Sequence, residues 1–293
     1  MDTREVVARL AKNYSNAIED ELKERWQNWK LDLSENEVHE VVGGLMARQV
    51  SLARQFASWP ASWNAHIAPL ILRAMVDVYI SLAWILRDPI ARSRKYILYG
   101  LGQEKLQLEH KKAYLLSEGQ DPAEDESVEI QDAWINSQRF TFLTEVNVGS
   151  WSDIPIRDMA KEIGCENIYN LEYTPFSASA HSMWNHIAKC NLKYCSNPLH
   201  RFHRVPIDPR LTIEPKYLYL AARYVKDTFE AFDKTFGIKV ETKSGFETMM
   251  GDMKVIARKM EDAHPAQPSH AFLSPPSRAW HAMINYFNSL FKE

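Results

Sequence analysis

The sequence contains few glycines and few cysteines. Only 10 of its 293 residues are glycine, against about 7% in ordinary proteins, and tight hairpins and bulges depend on glycine. A fold rich in strands is therefore not expected. The three cysteines are an odd number, so they define no framework of paired disulfides. No signal peptide precedes the charged, amphipathic start, and we expect a protein of the reducing cytoplasm.

The sequence also lacks a strong excess of either charge. Its formal net charge is −3 and its pI is near 6.4, which argues against a protein that coats duplex nucleic acid without specificity. Any contact with nucleic acid must therefore be local. One long apolar run, residues 61–86, contains Arg73 and Asp77 near its middle. Since each charge would be costly in a bilayer, we expect a buried core helix and no membrane contact.

Apolar residues recur at helical spacing along most of the chain. We predict an all-α multi-helix bundle of about eight or nine helices, in a chain whose 45% hydrophobic content suits a sizeable core. Residues 1–215 are predicted to form the main bundle domain with a polar centre, and residues 216–293 to form C-terminal helices packed on it. The segments with helical spacing are 3–29, 34–59, 62–87, 88–118, 128–146, 156–163, 166–189, 216–236, 246–263 and 277–291.

Capping residues and prolines set the expected helix boundaries. The spacing of a capping box places the start of the second helix at Ser34. Pro69 either kinks the third helix or marks its true start. Asp88 followed by Pro89 predicts an N-cap with proline at the first helical position. Pro175 lies inside the predicted helix 166–189, where it should kink the backbone.

Three of the predicted helices carry a line of polar side chains among apolar ones. In the third helix, His66, Arg73 and Asp77 share one face. Arginine and aspartate are almost never fully buried unless paired, and a spacing of four residues lets Arg73 pair with Asp77. The other two lines are Arg92, Tyr96, Tyr99 and Gln103 in the fourth helix and Tyr173, Ser177 and His181 in the kinked helix.

These lines predict a buried polar centre if the helices that carry them are neighbours. Two arginines, Arg73 and Arg92, outnumber Asp77, and an unpaired buried cation is expensive. We therefore expect an anionic ligand, above all a phosphate. The alternative is a structural ion-pair network in which the polar groups satisfy one another.

Several spaced segments in the middle of the chain resemble one protein family. The sequence over about residues 42–206 is similar to the mostly bacterial family called domain of unknown function 5677. It has Asp77 where that family is expected to carry glutamate, and Ser182 where glycine is expected. The segments that carry the resemblance are LRAMVD (72–77), LRDP (86–89), RSRKYILYG (92–100), IRDMAKEIG (156–164) and residues 169–181.

That family is similar, more distantly, to the all-helical HEPN superfamily, which includes ribonuclease toxins, phage-defence nucleases and noncatalytic nucleotide-binding or partner-binding proteins. The resemblance implies an HEPN-like core that acts on or binds RNA or a nucleotide, as a metal-independent ribonuclease of a phage-defence or toxin system. The alternative is a noncatalytic module that binds a protein partner or senses a ligand. A homodimer would suit a bundle that builds its cleft between two copies.

The nucleases of the HEPN superfamily use an Arg-x4–6-His motif. Arg258 and His264 have this spacing, but they lie outside the segments that resemble the family, and His264 precedes a proline. We interpret them as a solvated helix end. We predict instead that His181 transfers a proton near neutral pH and that Arg73 or Arg92 stabilises the charge on a phosphate.

The stretch after the kinked helix lacks helical spacing and contains zinc-type ligands. Cys190, Cys195, His200 and His203 form a C-x4-C-x4-H-x2-H pattern. Its spacing is looser than that of a zinc finger, and the neighbouring Arg201 would repel a cation. The preferred prediction is therefore a basic loop in which His200, Arg201 and His203 contact phosphate without a metal or another cofactor.

Overall fold

The structure is a computed structural model that describes residues 3–30, 32–138, 150–209 and 211–263. Within these ranges the chain is all-α apart from one two-stranded sheet. The predicted all-α bundle is therefore confirmed. The predicted helix 277–291, the end of the predicted helix 128–146 and His264 lie outside the described residues.

The elements are numbered in chain order. They are α1 (Thr3–Asn28), α2 (Asn36–Ser58), α3 (Ala68–Ile85), α4 (Pro89–Ser117), α5 (Glu126–Ser137), α6 (Ile156–Glu162), α7 (Glu166–Ile168), a π-helix (Tyr169–Tyr173), α8 (Thr174–Ala180), α9 (Trp184–Cys190), β1 (Leu192–Tyr194), β2 (Arg204–Pro206), α10 (Lys216–Phe236) and α11 (Gly245–Ala263). Short 3-10 helices lie at Leu33–Glu35, Pro60–Ser62 and Pro122–Glu124.

The core lies where α3 packs against α2, α6, α8 and α10. Leu72 and Met75 of α3 are fully buried there, as is Phe232 of α10. Each such side chain contributes about 1.5–3 kcal/mol by leaving water. Helix α1 is covered by α2 and α11, and α4 extends to a second, small apolar cluster with α5. The described C-terminal helices thus pack directly on the first three.

By length and composition, α3 is apolar enough to cross a membrane. Most of its apolar window is buried inside the structure, and core helices of soluble proteins meet the same criterion. Length and composition are therefore weak evidence for a membrane span.

The structure decides between the two alternatives for Pro69 and corrects the predicted start of α2. Pro69 lies in the first turn of α3, so it marks the start of the helix and not a kink. His66 precedes that start and is therefore not on the α3 face that carries Arg73 and Asp77. The 3-10 turn before α2 is capped by Asp32, whose carboxylate accepts the Ser34 N–H at 2.8 Å. The predicted start of the second helix at a Ser34 capping box is wrong, because Ser34 lies in this 3-10 turn and α2 begins at Asn36, whose N-cap Glu35 makes no side-chain cap bond.

The predicted helix 166–189 is divided into several pieces. Pro175 lies in the first turn of α8, where its missing N–H costs little. The π-helix comes directly before it, and this wider turn takes up the bend that proline was predicted to cause. A second break separates α8 from α9 at Ser182, whose φ is 49°. Such a positive φ is uncommon outside glycine and interrupts the helix.

The first residue of α11 packs too closely on α1 to carry a side chain. A Cβ at Gly245 would lie 2.3 Å from Cγ2 of Ile18 and 3.2 Å from the Ile18 backbone nitrogen. The Gly245 N–H also donates to the Glu21 carboxylate at 2.6 Å. At Gly251, farther along the same helix, an added Cβ meets nothing within 4 Å.

We expect Gly245→Ala to lower the free energy of unfolding by about 1–3 kcal/mol, because the new methyl group pushes α11 off α1. Gly251→Ala should raise it by up to about 1 kcal/mol through helix propensity alone. Urea denaturation of both variants measures the two effects. Equal losses at the two positions would contradict the close packing described at Gly245.

Candidate functional site

Arg73 joins α3 to the π-helix and α8. Its Nε donates to Ser177 Oγ at 2.7 Å, and its two terminal nitrogens donate to the Asp77 carboxylate and the Tyr173 hydroxyl. Its Cζ lies 3.5 Å from the centroid of the Tyr173 ring. Ser177 donates in turn to the Tyr173 carbonyl at 2.8 Å. The Arg73–Asp77 pair is thus present, and the polar line of the kinked helix meets that of α3.

This Arg73 cluster is half-buried and electrically balanced. Burial raises the pKa of Asp77, and the Arg73 guanidinium opposes that rise. Burial also raises the pKa of Tyr173 to about 12, with the Asp77 charge adding to the effect. Tyr173 therefore stays neutral at physiological pH, so its hydroxyl keeps its proton. The guanidinium is matched by one carboxylate and two hydroxyl groups.

Arg92 belongs to a different cluster. Its two terminal nitrogens donate to Glu162 at 2.7 Å and to the Trp84 carbonyl at 2.6 Å, and its Cζ lies 3.6 Å from the Trp84 ring centroid. Hydrogen bonds from Arg92 and from the Trp84 indole lower the pKa of Glu162. The prediction of surplus positive charge is therefore wrong, because Glu162 pairs with Arg92 and Asp77 pairs with Arg73. These two arginines require no added anion.

The other predicted residues of α4 lie along one half-buried line. The Tyr96 ring packs edge-on against Trp151, with centroids 4.9 Å apart. Burial raises the pKa of Tyr96, the Arg48 guanidinium opposes that rise, and the Asp77 carboxylate adds to it. Tyr99 and Gln103 are half-buried farther along α4, which packs more on α2 and α5 than on α3.

His181 is exposed at the end of α8. Its backbone N–H donates to the Ser177 carbonyl at 3.0 Å, so it follows the Arg73 cluster by one helical turn. The structure brings Arg73, Asp77 and Ser177 together. It leaves His181 at the surface and Arg92 in a separate pair, so the predicted site residues do not share one buried centre.

The π-helix also makes a polar contact that sequence analysis missed. Glu172 accepts hydrogen bonds from Arg223 and from the Tyr224 hydroxyl of α10. Asp227 lies 3.9 Å from Nε of Arg223, and burial raises the pKa of Asp227. Since Glu172 and Tyr173 are consecutive, the π-helix bonds to α10 through one residue and to α3 through the next. The four-residue spacing of Arg223 and Asp227 was the available sequence signal.

The segment after α8 is free of acidic residues. No aspartate or glutamate occurs between Glu172 and Asp208, although the chain contains 38 acidic residues. We call residues 181–207 the basic arm; it comprises α9, β1, β2 and the loop that joins the strands. Its basic side chains and histidines are Lys189, Lys193, Arg201, Arg204, His181, His186, His200 and His203.

Large apolar side chains of the basic arm face solvent. Leu199 is 86% exposed, Phe202 is 88% exposed, and Trp184 and Tyr194 are also exposed. Tyr194 and Arg204 are partners in the antiparallel register, and Cζ of Arg204 lies 5.3 Å from the Tyr194 ring centroid. Aromatic rings and positively charged side chains therefore lie next to each other on the surface of the arm.

The loop of the basic arm holds three of the residues predicted to contact phosphate. His200, Arg201 and His203 are all exposed there. The Cys195 N–H donates to the His203 carbonyl at 3.0 Å, which extends the pairing of β1 and β2 into the loop. The His200 and His203 ring centroids are 5.5 Å apart.

The four predicted zinc-type ligands do not form one group. Strand β1 separates Cys190 from Cys195. Cys195 instead lies with His200 and His203, and a further group consists of His66, His186 and Cys190. In each group the ligand atoms lie within 4.8 Å of one another. The second group was missed because His66 is 120 residues from His186 in the sequence.

The structure defines an all-α bundle in which two arginine–carboxylate clusters connect neighbouring helices. Its basic arm carries exposed aromatic side chains. The chain belongs to the family of unknown function DUF5677, whose model matches residues 39–197, more than half of the chain. The resemblance predicted from the sequence motifs is thus confirmed. The matched segment runs from α2 into the loop of the basic arm. No curated protein and no solved structure matches the chain.

Proposed function

We propose that this protein is a cytoplasmic, HEPN-like helical protein that binds RNA along its basic arm. The main support for this proposal is the composition of the arm, which has two lysines, two arginines, four histidines and no acidic residue. In a chain of net charge −3, this local positive charge favours a polyanion at this place and not over the whole surface.

The two strands suggest how the arm holds a single strand of RNA. Side chains alternate between the faces of a strand, so Tyr194 and its register partner Arg204 lie on one face. A base that stacks on Tyr194 would place its phosphate within reach of Arg204. Phe202 and Arg201 repeat this combination in the loop. Stacking tolerates every base, since each base has a π-face.

A noncatalytic protein-interaction module is the competing function. The exposed apolar side chains of the arm would suit a protein partner as well. Positive charge distinguishes the two functions, because phosphates pair with lysine and arginine side chains, whereas lysine is depleted in protein–protein interfaces. The density of basic residues therefore favours RNA.

We expect Tyr194→Ala to weaken binding of a labelled single-stranded RNA by about 5- to 150-fold, because it removes one stacking platform. Fluorescence anisotropy at fixed salt measures the loss. The matched control is Tyr114→Ala on α4, since Tyr114 is 63% exposed and Tyr194 is 65% exposed. Arg201→Ala should reduce the salt slope by about one. An absence of saturable binding, or an equal loss at Tyr114, would refute the proposal.

A metal-independent ribonuclease is the second candidate function. The position of His181 favours it, because this exposed histidine starts the basic arm and follows Ser177, the partner of Arg73, by one turn. A histidine can act as the general acid or base in RNA cleavage, and an arginine can stabilise the charge that develops on the phosphate. Incubation of bound RNA without added metal tests cleavage. His181→Ala should abolish it and His110→Ala, at an exposed histidine of α4, should not.

The defence or toxin role depends on that cleavage. Bacteria that express the wild-type chain should stop growing and lose total RNA if the protein is a ribonuclease, and the His181→Ala variant should relieve both effects. Intact RNA and normal growth in cells that express the wild-type chain would leave RNA binding as the function.

A further inference from the structure

We propose that His66, His186 and Cys190 form a zinc site at the base of the basic arm. His66 lies just before α3, while His186 and Cys190 lie on α9. The site would thus join the arm to the core helix of the bundle. It goes beyond the proposed function, because it concerns how the arm is held and not what the arm binds.

The three side chains lie close enough to supply one ligand atom each to a single metal. Nδ1 of His66 is 3.1 Å from Nε2 of His186 on one side of the imidazole, and Sγ of Cys190 is 3.9 Å from Nδ1 on its other side. A metal would take only one of these two nitrogens. One ligand atom from each residue lies within 4.8 Å of the other two. With Zn–N of about 2.0–2.1 Å and Zn–S of about 2.3 Å, adjacent ligands in a tetrahedral site are about 3.3–3.6 Å apart. The separations, which are at most 4.8 Å, would therefore have to shorten by about 1 Å for the site to close.

The backbone on each side is well defined. His186 and Cys190 are four residues apart in α9, so they project from one face of that helix. The side-chain oxygen of Asn64 accepts the backbone N–H groups of His66 and Ile67 at 2.9 and 3.1 Å. These bonds hold the turn that presents His66. Since His186 and Cys190 share one helix and the His66 turn is held by Asn64, less conformational entropy is lost on metal binding than with ligands on unstructured loops.

The chemistry of the ligands selects zinc. Two imidazoles and a thiolate are the nitrogen and sulfur donors that zinc prefers, whereas calcium and magnesium require oxygen ligands. On binding, Cys190 would lose its thiol proton to solvent and each imidazole would offer one nitrogen lone pair. Three protein ligands leave the fourth tetrahedral position for water. All three residues are half-buried, so the site is sheltered yet reachable from solvent.

A metal at this position has a structural use. Strands β1 and β2 are three residues each, and the sheet contains no other described strand. An isolated two-stranded hairpin is marginally stable in water. Zinc on α9 would anchor the hairpin to the bundle and so keep its exposed rings in place.

The second group, Cys195, His200 and His203, provides a matched comparison. It has the same three ligand types, but His200 and His203 are exposed and Arg201 and Arg204 flank them. Positive charge beside the loop disfavours a cation there. Cys195→Ser therefore removes an equivalent thiol without touching the proposed site.

The test uses the full chain, zinc chloride and metal analysis after dialysis. Wild-type protein should retain zinc, and Cys190→Ser should retain one equivalent less, whereas Cys195→Ser should retain as much as wild type. Cobalt substitution supplies a second readout, because the thiolate-to-cobalt absorption band should disappear in Cys190→Ser and persist in Cys195→Ser. Far-UV circular dichroism checks that both variants are folded.

Three results would overturn the site: no stoichiometric zinc in the wild type, equal retention in wild type and Cys190→Ser, or a loss confined to Cys195→Ser. Failure of the zinc site would not affect RNA binding measured on the metal-free chain. Failure of RNA binding would likewise leave the zinc content unchanged, so the two proposals can be judged separately.

Discussion

Arg25→Ala should lower the free energy of unfolding by about 3–5 kcal/mol, because it leaves the buried Glu21 and the half-buried Asp233 without their cation. Arg25 is 4% exposed. Its Nε and one terminal nitrogen donate to the two oxygens of Asp233 at 2.9 and 2.7 Å. The other terminal nitrogen donates to the Glu21 carbonyl at 3.0 Å and approaches its carboxylate at 3.4 Å. The guanidinium also lies 4.0 Å from the Phe229 ring centroid.

The pH dependence of this loss has a defined sign. Burial raises the pKa of both Glu21 and Asp233, and Arg25 opposes that rise in each case. Without Arg25 both folded-state pKa values should rise further. A carboxyl group whose pKa is raised by folding destabilises the folded protein as the pH rises through its folded-state pKa. This destabilisation disappears below its unfolded-state pKa. The deficit of Arg25→Ala should therefore shrink as the pH falls toward about 4.

The matched control is Arg54→Ala. Arg54 also pairs with a glutamate of α1, Glu19, at 3.0 Å, but its side chain is 46% exposed. A pair of this kind contributes no more than about 1 kcal/mol. Urea denaturation of the two variants at neutral pH measures the difference. If Arg25→Ala cost no more than Arg54→Ala, the Arg25 network would not be a stabilising part of the core.

Arg73→Ala should cost about 2–3 kcal/mol, since hydrogen bonds to charged groups contribute more than neutral ones. The substitution removes the hydrogen bonds from Arg73 to three groups, one on α3, one on the π-helix and one on α8. It also removes the stacking of the guanidinium on Tyr173. Arg73→Lys should recover only part of the loss, because an ammonium group cannot reproduce the planar arrangement of donors.

The control for Arg73 is Arg157→Ala, whose exposed pair with Glu166 is 3.9 Å long. It should change stability by no more than about 0.5 kcal/mol. Folded Arg73→Ala protein should still bind RNA on the basic arm with wild-type affinity. A fall in RNA affinity at unchanged stability would instead identify Arg73 as a residue that contacts the ligand.

Local spacing was enough to predict much of the fold. The scarcity of glycine and the helical periodicity predicted an all-α chain, and the dipeptide Asp88-Pro89 predicted the start of α4 at Pro89. The pair of Arg73 with Asp77 followed from their four-residue spacing. The basic, nonhelical character of the arm after Cys190 followed from its prolines, histidines and arginines. Each of these features depends on contacts within a few residues, which the sequence specifies directly.

The tertiary structure alone decided how the charges are matched and where the candidate site lies. Glu162 is 70 residues from Arg92, and Asp233 is 208 residues from Arg25. His66 meets His186 across 120 residues. The order of residues does not reveal such pairs, because they form only when helices pack with a particular rotation and offset. The sequence by itself therefore determined the helices and the positive charge of the arm. Packing decided that the arginines of the bundle pair with carboxylates of the same chain, and that the basic arm, where we propose that RNA binds, lies outside the core.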